Sequence, residues 1–309
     1  MRNAFASEIT ELAKKNERIV LLSADIGNRL FDPYKELFPN RFINCGIAEA
    51  NMTGMAAGMA LTGLIPFTYT ITPFNTYRCL EQIRVDLCYQ NLPVTIVGVG
   101  SGLSYASLGA THHSCEDISV LRSLPNMTII CPSDAIEVRC ALRSCVTYDK
   151  PAYIRLGKKN EPLVHNDEPH FEIGKGIIIR PGEKICLLAT GTILPAASKI
   201  ADFLKQNRIN AQLVSLHTIK PLDDILLTTI TNEFPLIITI EEHSLIGGLG
   251  SAISEWISDY SETEVRLCRF GTPDKFLKES GNQENARNMA RINWESIGNR
   301  ILNEWNRIN

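Results

Sequence analysis

Residues 18–22 read Arg18-Ile19-Val20-Leu21-Leu22, an aliphatic run that predicts a buried strand. The preceding residues, Ala4 to Lys15, are predicted to form a helix, and this pairing of short apolar runs with longer amphipathic segments repeats along the chain. Further strands are predicted at Ile65–Tyr69, Val94–Val99, Met127–Cys131 and Ala152–Leu156, with helices at Ala48–Leu61, Thr76–Tyr89 and Asp134–Tyr148. Such alternation indicates an α/β fold, with a mainly parallel sheet covered by helices on both faces.

The strand and helix pattern is interrupted between residues 161 and 183, where the sequence is polar and rich in proline. It resumes with predicted strands at Ile185–Thr190, Ala211–Ser215, Leu236–Ile240 and Val265–Arg269, and helices near Leu194–Gln206, Asp223–Thr229 and Leu249–Ser258. The chain has 309 residues, about twice the commonest domain size. We therefore expect two doubly wound, mainly parallel-sheet domains at residues 1–165 and 185–309, joined by a linker at residues 166–184.

The composition argues against several classes of function. Lys and Arg total 31 and Asp and Glu total 34, so a basic excess that would favour nucleic acid or an anionic membrane is absent. Neither a membrane-spanning apolar run nor a signal-peptide run is present, so we expect a cytoplasmic protein with no membrane partner. The nine cysteines include no Cys-x-x-Cys pair, and the six histidines lack zinc-type spacing, so free thiols and no metal site are expected.

Residues 44–51, Asn44-Cys45-Gly46-Ile47-Ala48-Glu49-Ala50-Asn51, place one carboxylate at the start of an otherwise apolar helix. A glutamate in the first turn of a helix often does no more than complement the helix dipole. Here the flanking apolar residues indicate burial, and a buried carboxylate requires a partner that can exchange a proton with it. Glu49 is therefore a candidate proton-transfer group.

The segment around Glu49 resembles thiamine-diphosphate enzymes of the transketolase group. Residues 46–51 are similar to the Gly-Ile/Val-x-Glu motif of that group, and residues 72–77, Thr-Pro-Phe-Asn-Thr-Tyr, resemble its aromatic segment. Further matching segments follow the family's order and spacing, at residues 23–25, 109–113, 116–118, 124–127, 132–134 and 241–250. The resemblance extends over the whole chain, and it implies a pyrimidine-binding domain followed by a transketolase C-terminal domain.

The resemblance implies that the first domain holds the aminopyrimidine ring of thiamine diphosphate. Glu49 matches the glutamate that hydrogen-bonds a ring nitrogen and so helps the ring to deprotonate the thiazolium carbon. Phe74 matches the aromatic residue that stacks on the ring, and Tyr77 lies one helical turn further on. Aromatic residues at this spacing are also common in cores, so the stacking role depends on the resemblance. Asp25 and Ile26 match residues beside the cofactor.

The candidate substrate residues follow from the same resemblance. His112 matches the active-site histidine of transketolases and deoxyxylulose-phosphate synthases, which hydrogen-bonds an oxygen of the substrate, and His113 is a second candidate. Lys158 matches the position of an arginine that binds substrate phosphate. A lysine attracts phosphate as a point charge and lacks the bidentate fork of arginine. The alternative for Lys158 is an ordinary solvated basic residue beside Lys159.

Two positions depart from the family pattern on the substrate side. Leu108 replaces an aspartate that contacts a substrate hydroxyl, and Gly100 falls where a typical transketolase has a histidine. Both changes remove polar contacts, so the site should discriminate differently among hydroxylated aldehydes. We therefore expect transfer of a two-carbon ketol unit from a ketose or ketose phosphate to an aldehyde acceptor, on a non-standard sugar.

The family's motif for the diphosphate and its metal ion, Gly-Asp-Gly followed downstream by an asparagine, does not occur in this sequence. The resemblance therefore implies a separate N-terminal transketolase-like subunit that carries this motif and binds Mg²⁺ or Ca²⁺. Thiamine diphosphate would be shared between the two subunits, and this chain would be active only with its partner. Because the family binds its cofactor between chains, an α2β2 heterotetramer is expected.

Three other interpretations stay open. A β subunit of a 2-oxoacid dehydrogenase would have the same two domains, although residues 111–112 and 121–127 favour the transketolase group. A carboligase similar to deoxyxylulose-phosphate synthase would share the His112 motif. A non-catalytic paralogue or scaffold would keep the fold, but the joint retention of Glu49, Phe74 and His112 argues against it.

Overall fold

Helices and strands alternate along the chain in the computed structural model, which describes residues 1–27, 29–278 and 281–308. The strands are β1 (Ile19–Ser23), β2 (Phe42–Asn44), β3 (Ile65–Ile71), β4 (Thr95–Val99), β5 (Thr128–Ile130), β6 (Ala152–Leu156), β7 (Ile177–Arg180), β8 (Ile185–Ala189), β9 (Gln212–Ser215), β10 (Thr218–Lys220), β11 (Leu236–Ser244) and β12 (Arg266–Thr272). The helices are α1 (Arg2–Lys15), α2 (Asp32–Leu37), α3 (Glu49–Leu61), α4 (Thr72–Asn75), α5 (Leu80–Gln82), α6 (Asp117–Arg122), α7 (Ala135–Thr147), α8 (Leu194–Gln206), α9 (Asp224–Glu233), α10 (Leu249–Tyr260), α11 (Gln283–Ala290) and α12 (Trp294–Ile308).

The strands form two sheets. The first has seven strands in the order β10-β5-β6-β4-β3-β1-β2, and the second has five in the order β12-β11-β8-β9-β7. Neighbouring strands run parallel, except that β10 is antiparallel to β5 and β7 is antiparallel to β9. Every residue of β1, β4, β6 and β8 is buried, because helices cover both faces of each sheet. The expected fold, two mainly parallel α/β domains, is confirmed.

The predicted helix at Thr76–Tyr89 differs in the structure. A 3₁₀ turn (Tyr77–Cys79), the short α5 and a π-helical segment (Ile83–Tyr89) occupy this region. The helical conformation is interrupted at Thr76, where φ is −122° and ψ is −75°. The Thr76 hydroxyl donates a hydrogen bond of 2.7 Å to the Thr72 carbonyl. This break separates the aromatic segment from the helix that follows it.

The predicted linker, residues 166–184, contains regular structure. Residues Ile177–Arg180 form β7, whose outer position leaves Ile178 half exposed. Just before the linker, Asp134 Oδ2 accepts hydrogen bonds from the backbone N–H groups of Val164 and His165, at 2.9 and 3.1 Å. An alternating half-buried pattern at a sheet edge is a weak sequence signal, which is why this strand was not expected.

A buried ion pair lies where the two domains meet. Arg155 of β6 donates from Nε to Asp117 Oδ2 at 2.8 Å, and the Tyr153 hydroxyl donates to the same oxygen at 2.6 Å. Burial alone would raise the pKa of Asp117, but the Arg155 charge holds that pKa below its ordinary value. Arg155 Nη2 also donates to the carbonyls of Ser114 and Glu242, at 2.8 and 3.1 Å. The ion pair therefore links the first sheet, the loop before α6 and β11.

Over the three ranges that the structure describes, no helix is long and apolar enough to cross a membrane. Within the same ranges, no group of three or more His, Cys, Asp or Glu side chains is arranged to hold a metal ion.

Candidate active site

Glu49 begins α3 directly after the turn that follows β2, and its side chain is 3% exposed. Asn44 shapes this turn, because its side-chain oxygen accepts hydrogen bonds from the N–H of Gly46 at 3.0 Å and of Asp25 at 3.1 Å. Gly46 has a φ of +70°, a left-handed conformation that glycine adopts without strain. The turn thus directs a buried carboxylate toward the carboxyl end of the first sheet.

Asp25 and Ile26 lie in the loop that follows β1, at the same end of the sheet. The Asn44 side-chain amide donates a hydrogen bond of 3.1 Å to Asp25 Oδ1, and the Ser23 hydroxyl donates one of 2.7 Å to the Ile26 carbonyl. Since β1 and β2 are parallel neighbours, this loop and the turn before Glu49 lie side by side. The two residues that the resemblance implies lie beside the cofactor are therefore close to the start of α3.

Phe74 brings the other predicted residues together. It lies in α4, at the carboxyl end of β3, and the His112 ring approaches it edge-on with 5.3 Å between ring centroids. On the Phe74 ring lies the Arg78 guanidinium, with Cζ 4.3 Å from the centroid. Arg78 Nη1 also donates to Glu49 Oε2 at 2.8 Å. Glu49, Phe74 and His112 therefore share one site, and Arg78 is a member that the sequence analysis missed.

Tyr77 contacts the loop before α6. Its hydroxyl donates 3.0 Å to Glu116 Oε2 and accepts a hydrogen bond of 3.2 Å from the Glu116 N–H. Burial raises the pKa of Tyr77 well above its ordinary value, with Asp117 as a second cause, so the hydroxyl stays protonated. In this structure Tyr77 holds the segment that follows His112 and His113.

The two adjacent histidines have different surroundings. His112 is half buried, and its Nδ1 lies 2.9 Å from the Thr111 hydroxyl. Burial, and then the neighbouring His113, lower the pKa of His112, so its imidazole is neutral near pH 7. A Thr111 hydroxyl that donates to Nδ1 leaves Nε2 as an N–H donor. His113 is buried, and its Nε2 lies 3.0 Å from the Ala106 carbonyl, within the loop's own backbone.

Most of the substrate-side candidates lie on one loop, residues 102–114. Its two ends are joined by a pair of backbone hydrogen bonds between Gly102 and Ser114, at 2.9 and 3.0 Å. Leu108 lies in this loop with its side chain half exposed. Because Ser114 is also held by the buried Arg155, the loop is anchored where the domains meet.

Tyr105 is the second residue that the sequence analysis missed. Gly100 has a φ of +84°, and a Cβ atom built on it would lie 1.9 Å from Tyr105 Cε2. The Tyr105 ring therefore fills the space that a side chain at position 100 would need. The ring lies 6.3 Å from the His112 ring, and Lys158 Nζ lies 5.0 Å above it. Glycine at position 100, with an aromatic residue five positions later, was the available sequence signal.

The site has the chemistry that an aminopyrimidine ring requires. A buried carboxylate can hold a proton at a ring nitrogen, and an aromatic face beside it can stack on the ring. Both groups lie at the carboxyl ends of parallel strands, where open α/β sheets bind ligands. The residues present therefore fit the pyrimidine half of thiamine diphosphate.

Comparisons with known proteins identify the family of the two domains. The pyrimidine-binding domain of transketolase matches residues 1–162, and the transketolase C-terminal domain matches residues 174–297. A putative transketolase C-terminal section from Methanocaldococcus jannaschii is 37% identical over 307 residues, which are 98% of this chain and 96% of that protein. A 6-deoxy-6-sulfo-D-fructose transketolase subunit from Clostridium sp. (strain MSTE9) is 35% identical over 277 residues, 89% of this chain and 85% of that subunit.

A solved structure is also similar over nearly its whole length. It is described as a split-gene transketolase in an inactive β4 tetramer, and it superposes with a TM-score of 0.90 at 33% identity. The match covers 98% of this chain and 97% of that chain. The resemblance expected from residues 46–51 is therefore confirmed. The chain belongs to the transketolase family of thiamine-diphosphate enzymes, with a pyrimidine-binding domain followed by a C-terminal domain.

Proposed function

We propose that this chain supplies the pyrimidine half of the active site of a split transketolase-like enzyme. The enzyme is a transferase that moves a two-carbon ketol unit from a ketose or ketose phosphate to an aldehyde acceptor. Bound thiamine diphosphate supplies the electron sink for this chemistry. The observation that carries the proposal is the convergence of Glu49, Phe74 and His112 at one end of the first sheet.

Glu49 has the proton-transfer role in this proposal. Its carboxylate is almost fully buried at the start of α3, and it accepts a hydrogen bond from a half-exposed arginine. A carboxylate in this position can hold a proton at the pyrimidine nitrogen, and a buried site keeps water from competing for that proton. Phe74 supplies the stacking face, and Asp25 and Ile26 border the ring.

His112 has the substrate-orienting role. Its lowered pKa keeps the imidazole neutral, so one ring nitrogen can donate a hydrogen bond to a substrate oxygen without a change of charge. Its edge contact with Phe74 supports this role, because Phe74 is the proposed stacking face for the pyrimidine ring. His113 donates to the backbone of its own loop, which favours a role in holding His112 in place.

The proposed partner is an N-terminal transketolase-like subunit with the Gly-Asp-Gly and asparagine motif. It would bind the diphosphate and Mg²⁺ or Ca²⁺, and two copies of each subunit would form a cytoplasmic α2β2 heterotetramer. The similar proteins support a separate partner, because they are themselves described as a C-terminal section, a subunit or a split-gene product.

The proposed substrate is a sugar that differs from the usual pentose phosphates. Leu108 presents an apolar, half-exposed side chain where the family has an aspartate. Tyr105 fills the position where the family has a histidine, and Lys158 is a nearby cation. One similar protein is named for a sulfonated deoxy sugar, which supports an unusual substrate.

The test is reconstitution of this chain with the partner subunit, thiamine diphosphate and Mg²⁺. Ketol transfer from hydroxypyruvate to a panel of aldehydes is expected from the complex, at a higher rate than transfer from xylulose 5-phosphate to ribose 5-phosphate. Glu49→Gln should lower kcat by about 100-fold or more, the usual contribution of a proton-transfer group. Glu81→Gln, which changes an exposed carboxylate in α5, is the matched control and should leave kcat unchanged.

Two results would contradict the proposal. Full activity of Glu49→Gln would remove its proton-transfer role and favour a different site. Condensation of pyruvate with glyceraldehyde 3-phosphate, in preference to ketol transfer, would identify a carboligase similar to deoxyxylulose-phosphate synthase.

A further inference from the structure

We propose that Arg78 occupies the place of the cofactor's aminopyrimidine ring and leaves that place when the cofactor binds. This inference rests on the proposed function, because it takes Glu49 and Phe74 as the groups that hold the pyrimidine. It adds a residue that competes with the ring and thereby controls how tightly the site takes up thiamine diphosphate.

The two contacts of the Arg78 guanidinium are the two contacts that the ring requires. One N–H donates to Glu49 Oε2 at 2.8 Å, and Cζ lies 4.3 Å from the centre of the Phe74 ring. An aminopyrimidine that stacks on Phe74 and shares a proton between its ring nitrogen and Glu49 would use the same aromatic face and the same carboxylate. A guanidinium is planar, donates N–H groups and stacks on aromatic rings, so it reproduces both interactions. Guanidinium and ring cannot occupy this space together.

Arg78 has the properties of a displaceable group. Its side chain is 45% exposed, whereas the Glu49 side chain is 3% exposed, so only the arginine can swing into solvent. A half-exposed ion pair is weak, because water screens it and the long side chain loses rotamer freedom. Arg78 also lies in the 3₁₀ turn between α4 and α5, outside a regular helix.

If the ring displaces Arg78, Glu49 keeps a hydrogen-bond partner during the exchange. A buried carboxylate that loses its cationic partner is strongly destabilised, so Arg78 should move out only as the ring nitrogen moves in together with a proton that it shares with Glu49. Before the cofactor binds, the arginine therefore pairs with the buried charge of Glu49, and the cofactor must compete with it. Removal of Arg78 should consequently strengthen binding of the pyrimidine ring.

The probe is 4-amino-5-hydroxymethyl-2-methylpyrimidine, the neutral ring half of the cofactor. Because it has no charge, the loss of a positive side chain does not change its long-range attraction to the protein. Binding to the full chain is measured by ligand-observed NMR titration, in the absence of metal and partner. Arg78→Ala should bind this probe about tenfold more tightly than the unmodified chain, and Arg78→Lys should lie between them.

Arg84→Ala is the matched control. Arg84 is an exposed arginine in the π-helical segment that follows α5, so its removal changes the net charge equally but leaves the Glu49 contact intact. Its affinity for the probe should equal that of the unmodified chain. Equal or weaker binding by Arg78→Ala would overturn the proposal, and so would undetectable binding by both proteins, since an opened site must accept the ring.

A second arm separates this proposal from the proposed function. Glu49→Ala in the Arg78→Ala background should abolish binding of the probe if Glu49 holds the ring. If binding persists in that double variant, the pyrimidine site itself lies elsewhere. If binding depends on Glu49 but is not strengthened by Arg78→Ala, the site is correct and only the role of Arg78 is wrong.

Discussion

The ring of Tyr105 occupies the space beside Gly100 that any larger residue at position 100 would need. The two residues therefore form a complementary pair, because Gly100 has no side chain and leaves room for the Tyr105 ring. This pair shapes the substrate side of the site, because Tyr105 also borders His112 and lies under Lys158.

Tyr105→Ala should open the substrate side of the site. The variant exposes the volume that the ring now fills, so the ratio of kcat/KM values between bulky and small aldehyde acceptors should rise about tenfold or more. The measurement is competition between two acceptors in the reconstituted enzyme. Tyr105→Phe keeps the ring and is the control that should leave the ratio unchanged. An unaltered ratio in Tyr105→Ala would show that the ring does not select the acceptor.

Gly100→Ala should destabilise the chain. The positive φ at this position strains any residue with a Cβ atom, and the added methyl group would overlap the Tyr105 ring. We expect the free energy of unfolding in urea to fall by at least about 1–3 kcal/mol.

The control for this variant is Gly58→Ala. Gly58 lies inside α3 with no atom within 4 Å of an added Cβ, so alanine should stabilise the helix by up to about 1 kcal/mol. Equal changes in the free energy of unfolding for the two substitutions would contradict the explanation from overlap with the Tyr105 ring and strain at a positive φ.

Asp117→Asn should be strongly destabilising. It removes the charge that pairs with Arg155, whose side chain is 1% exposed, and leaves a buried guanidinium without an anionic partner. A loss of about 3–5 kcal/mol in the free energy of unfolding is expected. Asp202→Asn breaks an exposed pair with Arg180 and should cost less than about 1 kcal/mol. Similar losses in both variants would show that burial does not determine the effect.

Stability near neutral pH should depend on His165. Burial alone would lower its pKa, but the hydrogen bond and charge of Glu137, 2.7 Å away, raise that pKa above its ordinary value. The folded state thus binds the proton more tightly than the unfolded state. The stabilisation is complete below about pH 6.5 and is lost as the pH rises through the raised folded-state pKa.

The variant that tests this dependence is His165→Gln, measured by chemical unfolding between pH 5.5 and 8.5. The difference in unfolding free energy between the unmodified chain and the variant should shrink as the pH rises. His217 titrates in the opposite sense, because burial lowers its pKa to about 4, and His165 adds a smaller lowering that the variant removes. If the difference in unfolding free energy stays constant across this pH range, protonation of His165 does not stabilise the folded state.

The sequence alone was sufficient to predict features that depend on neighbouring residues in the chain. The apolar runs of β6 and α8 predicted those elements within a residue, since buried parallel strands and amphipathic helices have strong periodic signals. Glu49, Phe74 and His112 could be identified because each lies in a contiguous motif.

Features that depend on distant contacts could not be predicted. Arg78 was overlooked because its significance lies in contacts with Glu49 and Phe74, 29 and 4 positions away in the chain. Tyr105 gains its role only through close packing on Gly100. Strand β10 has three residues, and its partner β5 belongs to the other domain, so no local pattern distinguished it from a loop.

The position of β10 has a consequence for how this chain can be divided. A fragment that ended in the linker would leave β5 as an open sheet edge, with unpaired N–H and C=O groups that invite association with other strands. The complementary fragment would carry β10 without a sheet to join. Each domain expressed separately should therefore be prone to aggregation, and the intact chain should resist proteolysis as one cooperative unit.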